Sequence, residues 1–247
     1  MKKYFSSPWS IKDLITVTLI SATLLALTLL VFEQFSIKQT LEKSTYSSLY
    51  LLGLFLLQWV IAIVPFLVLT IIKHKFSWKD LGFIPIKISE IIKYILGGYL
   101  IWIVITFIMT MIILYTGLKI PGYQVQQDIL PFFGDGIVNL VVAGLVIVII
   151  APLLEEVFFR GFILRTLSNN LGIFTGSILS AAIFAIFHFQ LETILPIFIL
   201  GLIINRMVIK SKSILPAIGF HVFNNALAFT IELLILKEVI KIEEIIT

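Results

Sequence analysis

Seven long apolar runs follow one another along the chain, at about residues 13–32, 48–72, 91–116, 137–153, 174–190, 193–209 and 214–236. Each approaches the ~20 residues needed to cross ~30 Å of hydrocarbon at ~1.5 Å per residue. The pattern predicts an all-α fold, a polytopic transmembrane helical bundle of about seven spans. The fourth run is expected to continue as helix to about residue 167. The first run is long and no small-x-small cleavage site follows it, so it reads as a span and not as a cleaved signal peptide. With no internal repeat and no low-complexity linker, the chain reads as one membrane domain. N-terminal helices and a cytoplasmic loop occupy 1–130, and a helical core carrying the chemistry occupies 131–247.

Composition agrees with the pattern. Of the 247 residues, 60% are apolar and 13% are charged, against roughly 45–50% and 25% in soluble domains. A soluble fold of this length has no means of hiding so much apolar surface. There is no cysteine, which removes disulfides and thiol chemistry. The net charge of +4 is too dispersed for nucleic acid, and in a membrane protein basic residues report orientation. With the N-terminus cytoplasmic, the inner segments collect Lys2, Lys3, Lys12, Lys73, Lys75, Lys79, Lys87, Lys93, Arg160, Arg165, Arg206, Lys210 and Lys212. The outer segments hold only Lys38, Lys43, Lys119, Lys237 and Lys241. The loop at 73–93, with Trp78, Asp80, Gly82 and Pro85 among five lysines, reads as an interfacial anchor. His74, between two lysines, is expected to be solvated there.

Ionisable and strongly polar residues inside apolar spans cost a few kcal/mol and usually have a partner or a task. Three groups stand out after residue 150. Glu155, Glu156 and Arg160 lie in Pro152-Leu153-Leu154-Glu155-Glu156-Val157-Phe158-Phe159-Arg160-Gly161. Glu156 and Arg160 are spaced i, i+4 and can pair on a helix, whereas Glu155 points about 100° away and stays free to titrate or bind. His188 ends the apolar run that contains Phe184, and His221 and Asn225 share a face at i, i+4 near the start of the last span. Taken singly, each group also fits a structural role, as a charge cluster at the membrane end or as interhelical hydrogen bonding. Asn139 and Asn205 fit the latter role.

In combination they say more. The turn at Ser168-Asn169-Asn170-Leu171-Gly172 makes an antiparallel hairpin in which Glu155 and His188 are each about 16 residues, or ~24 Å, from the turn. His221 is about eight residues, or ~12 Å, past the Lys210-Ser211-Lys212-Ser213 turn. The depths match if the 168–173 turn projects beyond the bilayer. A carboxylate and two imidazoles with a carboxylate–guanidinium pair and an amide behind them suit water activation and oxyanion binding. Zinc held by Glu155, His188 and His221 with an open position suits the same residues. No close-spaced zinc signature such as HExxH is present.

Glu155-Glu156-x-x-x-Arg160, Phe184-x-x-x-His188 and His221-x-x-x-Asn225, in this order and each in a hydrophobic segment, resemble the CPBP family of CAAX-type and bacteriocin-processing intramembrane proteases, also called the Abi family. The likeness covers about residues 137–230, and Trp78…Leu81-Gly82 resembles the family's lead-in. The resemblance implies a membrane-embedded endopeptidase cutting near the cytoplasmic side. Glu155 with His188 would activate water, and His221 and Asn225 would stabilise the oxyanion. Glu156 and Arg160 would hold the site together, with Phe184 packed beside it. Family members have been described both as metal-dependent and as glutamate-dependent. The metal-free reading, with no cofactor, is preferred here, and zinc on Glu155, His188 and His221 is the alternative. The abundance of Ile, Leu, Phe and Lys is that of a low-GC bacterium, which points to a multi-pass protein of the bacterial cell membrane. Its partners would be the bilayer and a short amphipathic, secreted or otherwise membrane-bound peptide, with prenylated proteins the eukaryotic counterpart. Two other classes stay open at this stage: a noncatalytic scaffold or bacteriocin self-immunity protein, and a transporter. The lack of paired, broken helices in two matching halves speaks against the transporter.

Overall fold

The computed structural model describes residues 4–5, 7–34, 47–75, 77–123, 136–188 and 190–237. Lys2, Lys3, Lys38, Lys43 and Lys241 of the charge pattern lie outside them. The described residues are helical with no strand. In chain order the helices are α1 (Ile11–Gln34), α2 (Ser47–Leu69), α3 (Ile88–Thr116), α4 (Ile137–Leu171), α5 (Ile173–Ile186), α6 (Ile194–Ser211) and α7 (Leu215–Leu236). Six of them are long and apolar enough to cross a membrane, so the chain is a multi-pass helical membrane protein.

Two departures from the expected pattern bear on chemistry. The first is α5, which has 14 residues and a length of about 21 Å, short of a span. The apolar run continues to residue 190, but the helix stops at Ile186 because His188 folds back. The His188 ring nitrogen Nδ1 bonds the Phe184 carbonyl at 2.8 Å, an acceptor that continued helix would have used. The second departure is in α4, which widens into π-helix at Leu145–Ile150 and again at Glu156–Leu164. Such widenings recur at functional sites and leave no mark in hydrophobicity.

The chain divides into two compact units. One comprises residues 9–76, 128–154 and 225–247. In it α1 packs along α2. Asp13, only 1% exposed, accepts from the Ser10 backbone and hydroxyl at 2.8 Å each, and Ser10 Oγ accepts from the Asp13 amide, a reciprocal helix-start arrangement. The π-helical turn Thr70–His74 that ends α2 brings Lys73 and His74 onto the same carboxylate. The expected solvated His74 is therefore corrected. Its Nε2 lies 3.1 Å from Asp13 Oδ2 and the side chain is largely buried, because the left-handed Lys75 that follows turns the chain only after the imidazole has been delivered to α1.

The other unit comprises residues 1–8, 77–127 and 155–224. Its helices approach closely through small residues, as membrane helices do. At Gly176 a Cβ would lie 2.5 Å from the Ser168 amide, and at Gly201 it would lie 3.2 Å from Ala181. At one end, four segments are tied together. The Tyr4 hydroxyl donates to the Ile209 carbonyl, the Ile214 amide to the Gly82 carbonyl, Ser213 Oγ to the Ile84 carbonyl, and Arg165 Nη2 to the Lys212 carbonyl. The N-terminus, the 77–87 loop and the chain around 165 and 212 thus share one end, the grouping that the charge pattern predicts. The loop at 77–87 is more than an anchor. Leu81 is fully buried, its carbonyl lies 3.1 Å from where a Gly161 Cβ would be, and Gly82, at φ +92°, has the Arg165 guanidinium against it.

Candidate active site

The Arg165–Lys212 bond also sets the register of the site. Glu155 is ten residues before Arg165, and His221 is nine residues after Lys212. At ~1.5 Å per residue both lie ~14–15 Å inward. The apparent mismatch of depths disappears because the level is fixed at Arg165, with the 166–172 segment extending past it.

Glu156 and Arg160 are completely buried. Arg160 Nη1 donates to Glu156 Oε1 at 2.8 Å, Nε donates to Asn205 Oδ1 at 3.1 Å, and Nη2 approaches the Gly201 carbonyl at 3.4 Å. The guanidinium carbon sits 4.2 Å from the centroid of the Phe184 ring, a desolvated cation–π contact. Asn205 in turn donates to the Ser177 carbonyl at 2.9 Å. One arginine therefore ties α4, α5 and α6 together. Asn205 was legible as interhelical glue, but its place behind Arg160 was not, since the two are 45 positions apart. Ser180, on α5 beside this region, is buried.

Glu156 Oε1 also receives His221 Nδ1 at 2.8 Å. A carboxylate paired with a guanidinium is ionised and only accepts, so Nδ1 carries the proton. The same reasoning fixes His188, whose Nδ1 faces the Phe184 carbonyl and must donate. Both imidazoles therefore hold a hydrogen on Nδ1 and turn Nε2 toward Glu155. His221 Nε2 is 3.7 Å and His188 Nε2 is 3.9 Å from Glu155 Oε2. Phe184 stacks edge-on against His188 with centroids 4.6 Å apart. The Oε2 atoms of Glu155 and Glu156 have no hydrogen-bond partner among the described residues.

Exposure separates the two carboxylates. The Glu156 side chain is 0% exposed, that of Glu155 is 15% and that of His188 is 25%. The π-helical segment begins at Glu156, so the two neighbours sit on either side of a change in helical winding. One enters the Arg160 network and the other faces the opening between the imidazoles.

Glu155, Glu156, Arg160, Phe184, His188 and His221 thus meet in one place. Asn225 belongs to the other unit, where its Nδ2 donates to the Ile147 carbonyl at 2.9 Å, in the first π-helical widening of α4. The zinc alternative requires three donors arranged around one point, and among the described residues no group of three or more His, Cys, Asp or Glu has that arrangement.

No curated protein and no solved structure matches the chain significantly. Residues 137–227 match the model of one family, described as Rce1-like, type II CAAX prenyl endopeptidase. That segment holds the whole polar cluster and its Phe184 and Asn205 supports, and over it the chain is similar to the Rce1-like family of CAAX prenyl endopeptidases.

Proposed function

We propose that this chain is an intramembrane endopeptidase in which Glu155 and His188 activate a water molecule for attack on a peptide carbonyl. The observation that carries the reading is the facing of a buried, unpartnered carboxylate oxygen by two imidazole Nε2 atoms at 3.7 and 3.9 Å. Those separations exceed direct hydrogen bonds and suit one small molecule held between the groups.

The steps follow from the protonation pattern. Glu155 and His188 Nε2 both lack a proton and can accept one from water, which becomes the nucleophile. The proton then passes to the amine that leaves, so the peptide bond is replaced by a carboxyl and an amino terminus. The negative oxygen formed on the carbonyl needs donors. His221 serves there when protonated on both nitrogens, with Nδ1–H on Glu156 and Nε2–H on the oxygen, and Asn225 is the second donor in this proposal. Glu156 and Arg160 position His221 and do not touch the substrate.

The substrate is a membrane-associated peptide, of the prenylated or secreted-peptide type, cut near the cytoplasmic side of a bacterial cell membrane with the N-terminus of the chain inside. The tied, lysine- and arginine-rich end of the 155–224 unit supports that orientation. The test is cleavage of a membrane-anchored peptide library by purified protein in liposomes. Glu155→Gln and His188→Ala should each lower cleavage by ~10²-fold or more while the protein remains folded and membrane-inserted. Wild-type rates in both variants would overturn the reading and leave a scaffold.

A further inference from the structure

A second site lies outside this cluster. Between the first half of α3 and the second half of α6 runs a groove of about 430 Å³. Its floor is apolar, formed by Gly97, Gly98, Ile101, Ile203 and Met207, and one end carries Lys93, Arg206 and Lys210. The two helices are antiparallel here, so Lys93 near the start of α3 and Lys210 near the end of α6 stand together, with Arg206 one turn further in. From Lys93 to Ile101 the groove is about 12 Å long.

The groove is built by glycine. Met207 Cε occupies the place where a Cβ on Gly98 would go, and the Phe220 ring is 3.3 Å from it, so the floor depends on that residue having no side chain. Gly97 differs, with nothing within 4 Å of an added Cβ, so that position opens into the groove.

The charges are unbalanced. Glu90, Lys93, Arg206 and Lys210 are the only charged residues on α3 and α6, a net of +2. Glu90 is engaged by Lys93 at 2.7 Å. Arg206 and Lys210 repeat at i, i+4, an arrangement of like charges that costs stability. Both are exposed, and neither has an ion pair among the described residues. An anion between them removes the repulsion.

We propose that this groove binds one anionic phospholipid, its phosphate on Arg206 and Lys210 and the start of an acyl chain along Gly97 and Ile101. A basic pocket between membrane helices at headgroup level suits an anionic lipid. The flank of α3 beside it is apolar and exposed at Leu96, Leu100, Ile101 and Val104, which opens the groove to the bilayer. A peptide fits less well. Its backbone amides would find no partners on a glycine and aliphatic floor, at a cost for each buried group. The site stands apart from Glu155, and its occupancy is independent of whether the chain cleaves peptides.

The experiment measures binding of dioctanoyl-phosphatidylglycerol to the purified full chain in neutral detergent, by titrated thermal shift and native mass spectrometry. Dioctanoyl-phosphatidylcholine, inorganic phosphate and an amphipathic peptide with a free C-terminal carboxylate are run in parallel. The expected result is saturable phosphatidylglycerol binding, with little response to phosphatidylcholine or phosphate. Arg206→Gln/Lys210→Gln should weaken it about thirtyfold, that is two charges at ~1 kcal/mol each read at 1.4 kcal/mol per tenfold. Gly97→Leu, which fills the groove at an open position, should block it while leaving the unliganded melting temperature in place. Equal binding of phosphatidylcholine, unchanged phosphatidylglycerol affinity in both variants, a full response to phosphate alone, or tighter binding of the peptide than of the lipid would each overturn the proposal.

Discussion

Replacing Arg160 with methionine removes the guanidinium paired with a completely buried carboxylate. The guanidinium donates to Glu156 at 2.8 Å and to Asn205 at 3.1 Å, and covers the Phe184 ring at 4.2 Å. Methionine fills most of the volume and supplies none of these contacts. The Glu156 carboxylate is then held only by His221, and the Asn205 carbonyl oxygen is left without this donor. Breaking a buried ion pair by removing one member costs ~3–5 kcal/mol, mostly the penalty of the charge left behind. A chain of this size loses roughly 2–4 °C of melting temperature per kcal/mol, so Arg160→Met should melt about 6–20 °C below the parent. The second half of the test is Glu156→Gln on the Arg160→Met background. Glutamine removes the stranded charge, and its Oε1 still accepts from His221 Nδ1–H, so the double variant should recover at least ~1.5 kcal/mol relative to additivity. Thermal unfolding of detergent-purified protein, followed by tryptophan fluorescence and by loss of the monodisperse peak, reads both quantities. A single variant within ~1 kcal/mol of the parent, or a double variant that melts at the additive value, would refute the view that Glu156 is ionised and dependent on Arg160.

Other outcomes follow from the same geometry. Asn205→Leu leaves Arg160 Nε and the Ser177 carbonyl without their partner and should cost about 1–3 kcal/mol for each group stranded, read as a lower melting temperature. Gly176→Val drives two methyl groups into the Ser168 backbone and should separate α5 from the end of α4, detected as reduced folded yield and loss of cleavage together. Gly82→Ala meets both a φ of +92° and the Arg165 guanidinium, and should destabilise by more than the ~1 kcal/mol of a compatible exchange. If Glu155 and His188 act without metal, elemental analysis of active protein should give substoichiometric zinc and a chelator should leave the rate unchanged. Stoichiometric zinc with chelator inactivation would reassign Glu155, His188 and His221 as ligands.

Hydropathy located the helices well because a bilayer imposes length and apolarity on each crossing. The polar groups near Glu155, His188 and His221 were conspicuous for the same reason, since an ionisable residue inside a span is expensive. What stayed hidden depends on pairing over long sequence distances or on winding. Asp13 is matched by Lys73 and His74, sixty positions away, and nothing local marks them as partners. The end of α5 at Ile186 is set by a side chain turning back on its own helix. The two π-helical stretches of α4 are missed by a wheel drawn at 3.6 residues per turn. Arg165 read as one more cytoplasmic charge, yet its bond to the Lys212 carbonyl fixes how far Glu155 and His221 lie from that end.

Adjacent carboxylates on one helix commonly repel and share a fate, but here their neighbours divide them. Glu156 is removed from water, neutralised by Arg160 and tied to His221, so its ionised form is stable and its geometry fixed. Glu155 keeps partial access, and its Oε2 faces the Nε2 atoms of His221 and His188 at 3.7 and 3.9 Å. Neighbouring positions on a helix already point about 100° apart, and the π-helical segment that starts at Glu156 adds a change of winding between the two residues. Each imidazole is also locked from behind, by Glu156 for His221 and by the Phe184 carbonyl for His188, since a turned ring would carry Nε2 away from Glu155. Full burial of Glu156 and partial exposure of Glu155 and His188 belong to a single arrangement, and under the proposed mechanism a change to the buried half should be felt at Glu155 and the imidazoles. Asn205→Leu tests this link, because it touches neither imidazole nor Glu155. Under the coupled view its residual folded fraction cleaves more slowly than the parent, whereas a full rate per folded molecule would show that the Arg160 network supports the fold alone.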